Sequence, residues 1–267
     1  MLKNVLLWVF SFLVTVSFSV FQRLTGPTYP LKEKKEFMGE VLEYKFPRSC
    51  TVSGNDCALK IKSAGELDAY VSYVRFKTGE APSQIAFEKK EGFYQAALPD
   101  QPPAGKLKYD VFIVKDGSGL KINEKAVITR FKGAVPPLVL VPHVIFMFFF
   151  MFFSVKIFLS NVSGFGPVKH AVFLNYAFLI IGGFVFGPLT QYYAFGDAWT
   201  GFPFGHDLTD NKTLIMLVFW TPALFAVVKN KNHKSWINLA FAVTALVYLV
   251  PHSLLGSELD YQSLGQK

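Results

Sequence analysis

From Asn4 to Gln22 the chain runs NVLLWVFSFLVTVSFSVFQ without one charged side chain, bounded by Lys3 and Arg23. A bilayer core of about 30 Å is crossed by roughly 20 helical residues at about 1.5 Å each, so such a run limits the possible folds more than any other feature. Four more runs follow. Val135 to Leu159 contains VIFMFFFMFF and meets its first charge at Lys156; Ala171–Tyr193, Thr213–Val228 and Ser235–Val250 complete the set, the last two short for a span. Composition agrees, with 51% hydrophobic residues, 16% aromatics, 29 Phe and a mean hydropathy of +0.32. These values exclude a purely soluble protein. Abundant large apolar residues, glycines without period and only 2 cysteines also exclude disorder, collagen-like repetition and a disulfide-dense scaffold.

The first run reads as an uncleaved anchor over residues 1–22. The alternative is a cleaved signal peptide, but the apolar core is longer than such peptides use and ends in SFSVFQR, bulky where cleavage wants small residues. Short-loop cations set the orientation. Lys229, Lys231 and Lys234 between runs four and five, Lys156 and Lys169 around the 160–170 turn, and Lys3 all assign their ends to the cytoplasm. The N-terminus is then cytoplasmic, and residues 23–134, the loop 194–212 and the tail 253–267 lie outside the plasma (inner) membrane. The expected organisation is the anchor, a linker over 23–35, a β domain over 36–133, four transmembrane helices over 134–252, and the tail. The net charge of +8 fits anchoring and topology, and with no basic arm or recognition motif it calls for no nucleic-acid partner.

Residues 36–133 read as β structure. Alternating runs at Val41–Phe46, Ala58–Lys62, Ala69–Phe76, Phe93–Leu98, Lys106–Val114 and Ala126–Phe131 are separated by turn residues at Thr78-Gly79, Pro102-Pro103-Ala104-Gly105 and Asp116-Gly117-Ser118-Gly119. About seven strands in about 100 residues predict an antiparallel sandwich.

The stretch Glu91-Gly92-Phe93-Tyr94-Gln95-Ala96-Ala97-Leu98-Pro99, followed by Gly105-Lys106-Leu107-Lys108-Tyr109 and the Asp116-Gly117 turn, resembles the G-x-Y-x-A-x-(I/L)-P … G-x-(I/L)-x-Y pattern of immunoglobulin- or fibronectin-III-like domains of bacterial exported proteins. The pattern covers about half of the domain. It implies a domain that docks, spaces or binds, and it implies no catalysis.

Cys50 and Cys57 flank a Gly-Asn-Asp turn in the exported domain, where an oxidising compartment allows a short-loop disulfide. A cysteine-based metal site would want further Cys or His, and residues 23–134 hold none; two free thiols are the other alternative.

Charge is absent from the cores of the five runs, which speaks against an ion-coupled transporter, and Lys156 reads as an anchor near the inner boundary. The outer rim is richer. His143, His206 and His252, with Asp197, Asp207 and Asp210 of an aromatic- and glycine-rich loop, are residue types that Zn, Cu, Fe or haem would use. The plainer reading of the same residues is an aromatic belt with capping aspartates, and no H-E-x-x-H, phosphate-loop, nucleophile-elbow or haem-attachment motif is present. Gly182, Gly183 and Gly187 supply small residues for close helix packing. The sequence therefore points to an accessory or scaffold membrane protein without a cofactor, its partners being membrane lipids and proteins in the membrane or at its outer face. The competing class is a metal- or haem-binding membrane enzyme acting through the three histidines, and a weaker third is a transporter or lipid-handling protein.

Overall fold

The computed structural model describes residues 2–264 apart from Met38, Asp116, Gly117, Ser253 and Leu255. The expected Asp116-Gly117 turn thus lies outside the described residues. The chain divides into two units, one made of residues 1–27 and 135–256 and the other of residues 28–134 and 257–267.

The first unit is helical: α1 (Leu2–Thr25), α2 (Pro137–Ser163), α3 (Lys169–Leu179), a π-helical turn (Ile180–Phe186), α4 (Gly187–Phe195), α5 (Leu208–Val228) and α6 (His233–Leu249). α3, the π turn and α4 form one continuous helix, Lys169–Phe195. α1, α2, this long helix and α5 are long and apolar enough to cross a membrane. α6, the expected fifth span, has 17 residues and so measures about 26 Å. α1 is no isolated anchor, because Trp8 packs on Phe152 and Phe153, Phe12 on Phe148, and Phe18 on Tyr248. The core gathers Phe150, Ile157, Leu179, Trp220 and Ile237. Several polar groups inside it pair with one another or with backbone. Trp220 Nε1 donates to Thr244 Oγ1 at 2.9 Å, and Asn161 Nδ2 donates to Asn238 Oδ1 at 2.8 Å. Ser154 Oγ bonds both Phe150 O and Asn175 Oδ1. Lys156 is buried, with Nζ 5.1 Å from the centre of the Trp8 ring.

The second unit holds two sheets. β1 (Leu31–Phe37), β2 (Glu40–Phe46), β4 (Ala58–Lys62), β8 (Phe93–Ala97) and β7 (Glu88–Lys90) pair in that order. The other sheet runs β3 (Ser49–Thr51), β11 (Val127–Lys132), β9 (Lys106–Lys115), β5 (Asp68–Arg75) and β6 (Ser83–Ala86), with β10 (Ser118–Lys121) also on β9. The sandwich is mixed, not purely antiparallel, since β3 pairs parallel to β11. It also starts earlier than expected: Leu31–Lys35 of the supposed linker belong to β1, which pairs residue by residue with β2. Alternation buries one face of each main strand, and Phe46, Leu59, Ile61, Val71, Leu107, Val111 and Phe131 fill the interior. Cys50 and Cys57 form the disulfide, at the point where the chain passes from β3 in one sheet to β4 in the other.

The tail is part of this unit. Leu259 N donates to Ala104 O at 3.1 Å, Arg130 Nη2 donates to Ser257 O, and Glu258 takes both Lys77 Nζ and Lys106 Nζ at 2.7 Å. Tyr261 of the short helix α7 (Tyr261–Leu264) accepts from Lys106 N at 3.0 Å, under the guanidinium of Arg75. Gly105 makes room for it, since a Cβ there would lie 2.8 Å from Tyr261 Oη.

Candidate functional site at one rim of the helical unit

Two of the residues singled out in the sequence, Asp207 and Asp210, take up backbone partners where α4 ends and α5 begins. α5 starts at Leu208, ahead of the apolar run at Thr213, because Asp207 caps it by accepting from Thr209 N at 2.8 Å. That early start puts Asp210 and Lys212, which precede the apolar run, near the start of the helix and buried, while the run itself, Thr213–Val228, carries no charge. Asp210 Oδ2 accepts from Thr200 N at 2.7 Å and Gly201 N at 3.0 Å, and Asn211 Oδ1 accepts from Phe202 N at 2.7 Å. Gln191 of α4 closes the other side by donating to Thr200 Oγ1 at 2.7 Å. Gly201 is required in this clamp, for a Cβ there would sit 2.5 Å from the Asp210 Cβ.

Lys212 does a different task. Its Nζ donates to Val250 O at 2.6 Å and Pro251 O at 3.0 Å, carbonyls at the C-terminal end of α6. Helix ends leave carbonyls without intrahelical partners and carry partial negative charge, which suits an ammonium. Gln22 of α1 donates to Tyr248 O and Val250 O. Three helices are thus pinned at one end by groups that sequence reasoning did not single out. Only the polarity of Gln22 and Lys212 at the edges of apolar runs could have signalled them.

His143 faces the π turn. Its Nδ1 lies 2.9 Å from Gly182 O, where it donates as the Nδ1–H tautomer. A π turn loosens the regular i→i−4 ladder, so a carbonyl in it accepts such a donor readily. Gly182 and Gly183 lie in that turn and let its neighbours approach: a Cβ on Gly182 would be 2.9 Å from the Phe146 Cβ, and one on Gly183 would be 2.6 Å from Thr213 Cγ2. Gly187 sits against His143 with ordinary clearance.

The structure therefore brings Asp207, Asp210 and the 199–205 segment together and commits His143 to Gly182. His206, His252 and Asp197 are exposed. Among the described residues no group of three or more His, Cys, Asp or Glu side chains could hold a metal ion. The reason is local, as His143 is committed to a carbonyl, Asp210 to two amides and Asp207 to a helix cap.

Comparison of the chain with protein-family models, with curated proteins and with solved structures finds no match.

Proposed function

We propose that this chain is an integral membrane accessory or scaffold subunit displaying an immunoglobulin-like docking domain on the outer face of the plasma (inner) membrane. The observation that carries the reading is the commitment of the rim. His143, Asp210, Asn211 and Lys212 hydrogen-bond backbone groups and Gln191 a neighbouring hydroxyl, which is how a fixed support is built.

Strand order supports the domain assignment. β2, β4, β8 and β7 occupy the A, B, E and D places of an immunoglobulin sandwich, and β5, β9 and β11 the C, F and G places. The disulfide departs from that pattern, as it closes a short loop beside β3 instead of joining the two sheets.

Chain parity supports the topology. The β unit precedes α2, and residues 257–264 rejoin it after α6, so the helical segment between must cross a membrane an even number of times. α2, the long α3–α4 helix and α5 make three crossings, and α6 supplies the fourth. With α1 this gives five spans, a cytoplasmic N-terminus and an outer C-terminus, in accord with the cationic loops.

Purification of the full chain from its native membrane tests the proposal. It should bring a stoichiometric membrane partner that is lost when exposed β-unit residues are substituted, and less than stoichiometric metal or haem. A stoichiometric metal that disappears in His143→Ala, His206→Ala or His252→Ala would transfer the function to the enzyme class.

A further inference from the structure

The segment Gly201-Phe202-Pro203-Phe204-Gly205 presents two large aromatic side chains to the outside, Phe202 at 68% and Phe204 at 82% exposure. Each would be stabilised by leaving water. The backbone beneath them is unusually self-sufficient. Thr200 N and Gly201 N go to Asp210, Phe202 N goes to Asn211, and Phe204 N and Gly205 N both go to Gly201 O at 2.9 Å. Pro203 has no amide hydrogen to place. Thr200 O accepts from Asp207 N at 3.0 Å, and Phe202 O accepts from Trp199 Nε1 at 3.1 Å. From residue 200 to residue 205, then, every backbone N–H has a partner inside the protein.

A loop in water can leave such donors to solvent, whereas amides that reach the hydrocarbon edge of the bilayer cannot, because an unpaired amide in hydrocarbon is strongly disfavoured. The clamp is also rigid, so the two rings add little ordering entropy on insertion. The loop joins α4 to α5, and the exposed apolar surface of those helices, Leu189, Tyr192 and Tyr193 on one and Ile215 and Val218 on the other, continues into it. We infer that Phe202-Pro203-Phe204 is a preformed interfacial wedge whose occupant is lipid, seated at the headgroup–acyl boundary next to α4 and α5. This inference rests on the membrane reading of the helices.

The two cysteines of the described chain are both in the disulfide, so single-cysteine spin labelling of the full-length protein in phosphatidylcholine nanodiscs is a clean probe. Labels at Phe202→Cys and, separately, Phe204→Cys leave one ring of the wedge and all the clamping amides in place. References are Val218→Cys, exposed in mid-α5, and Gln84→Cys, exposed on β6. The expected result is an oxygen-to-nickel accessibility ratio at 202 and 204 several-fold above that at 84 and approaching that at 218. A high ratio at 218 with water-like values at 202 and 204 overturns the wedge and leaves the membrane reading standing. Labels at 202 and 204 that are immobilised and shielded from both colliders mean a protein surface covers them, and this also overturns it. A water-like value at 218 removes the membrane reading and the wedge with it.

Discussion

Asp210 holds two backbone amides with one carboxylate oxygen, and each amide left without a partner in a buried setting costs about 1–3 kcal/mol. Asp210→Ala should therefore lower the Tm of the detergent-solubilised protein by several degrees, whereas Asp210→Asn, which keeps an acceptor oxygen, should lose much less. Equal losses in the two variants would mean that charge and not hydrogen bonding is what this position supplies. Lys212 is the converse case, a buried ammonium whose partners are the carbonyls of Val250 and Pro251. Lys212→Met keeps the stem volume but removes the Lys212 donor from Pro251 O and leaves Val250 O to Gln22 alone, so it should destabilise by about 1–3 kcal/mol. Hydrogen exchange localises the effect: amides in the last turn of α6 should exchange faster while the middle of α5 is unchanged. Uniform acceleration across the helical unit would contradict this local role.

The C-terminal segment 257–264 is the element most open to control by solution conditions. Glu258 is partly desolvated, which raises its pKa, but the hydrogen bonds from Lys106 and Lys77 outweigh that and hold it below the ordinary glutamate range. A lowered folded-state value means that the carboxylate's contribution to the attachment is complete at neutral pH and is lost as acid protonates it. The loss begins below the free glutamate value of about 4.3. Ion pairs this exposed contribute about 0.2–1 kcal/mol each and weaken with salt. A nitroxide at Gln262→Cys should be restrained at pH 7, grow progressively more mobile as the pH falls below about 4.3, and also loosen in high salt. Adding Glu258→Gln should make it mobile at pH 7 and remove the pH dependence. If the label stays restrained in that double variant, Tyr261 and the Leu259–Ala104 bond hold the segment without the charges.

For the whole molecule the testable statement is parity. Alkaline phosphatase fused after Lys267 should be active and a cytoplasm-dependent fluorescent protein at the same point dark, while insertions between Asn230 and Lys231 should give the reverse. Fluorescence at the C-terminus would leave the helical segment with an odd number of crossings. That cannot coexist with residues 257–264 bonded to Ala104, Lys106 and Arg130 unless the β unit is also cytoplasmic. A phosphatase fusion in the β unit separates those two outcomes.

Length and hydropathy are properties of contiguous residues, so the helical runs, the β alternation between Val41 and Phe131 and the close Cys50–Cys57 pair were legible in the amino-acid order alone. What lay beyond it depends on partners distant in the chain. Leu31–Lys35 looks like a charged linker until β2 lies beside it and Tyr44 donates to Glu33. α5 begins at Leu208 only because Asp207, Asp210 and Asn211 find backbone groups across the preceding loop. His143 has the composition of a ligand, and a carbonyl from a π turn 39 residues away claims it. The tail reads as a polar appendage, yet residues more than 120 positions upstream bind it. A hydrophobic pattern specifies which surfaces must be buried, but a polar side chain takes whichever partner the packing brings within about 3 Å, and only the tertiary structure decides that.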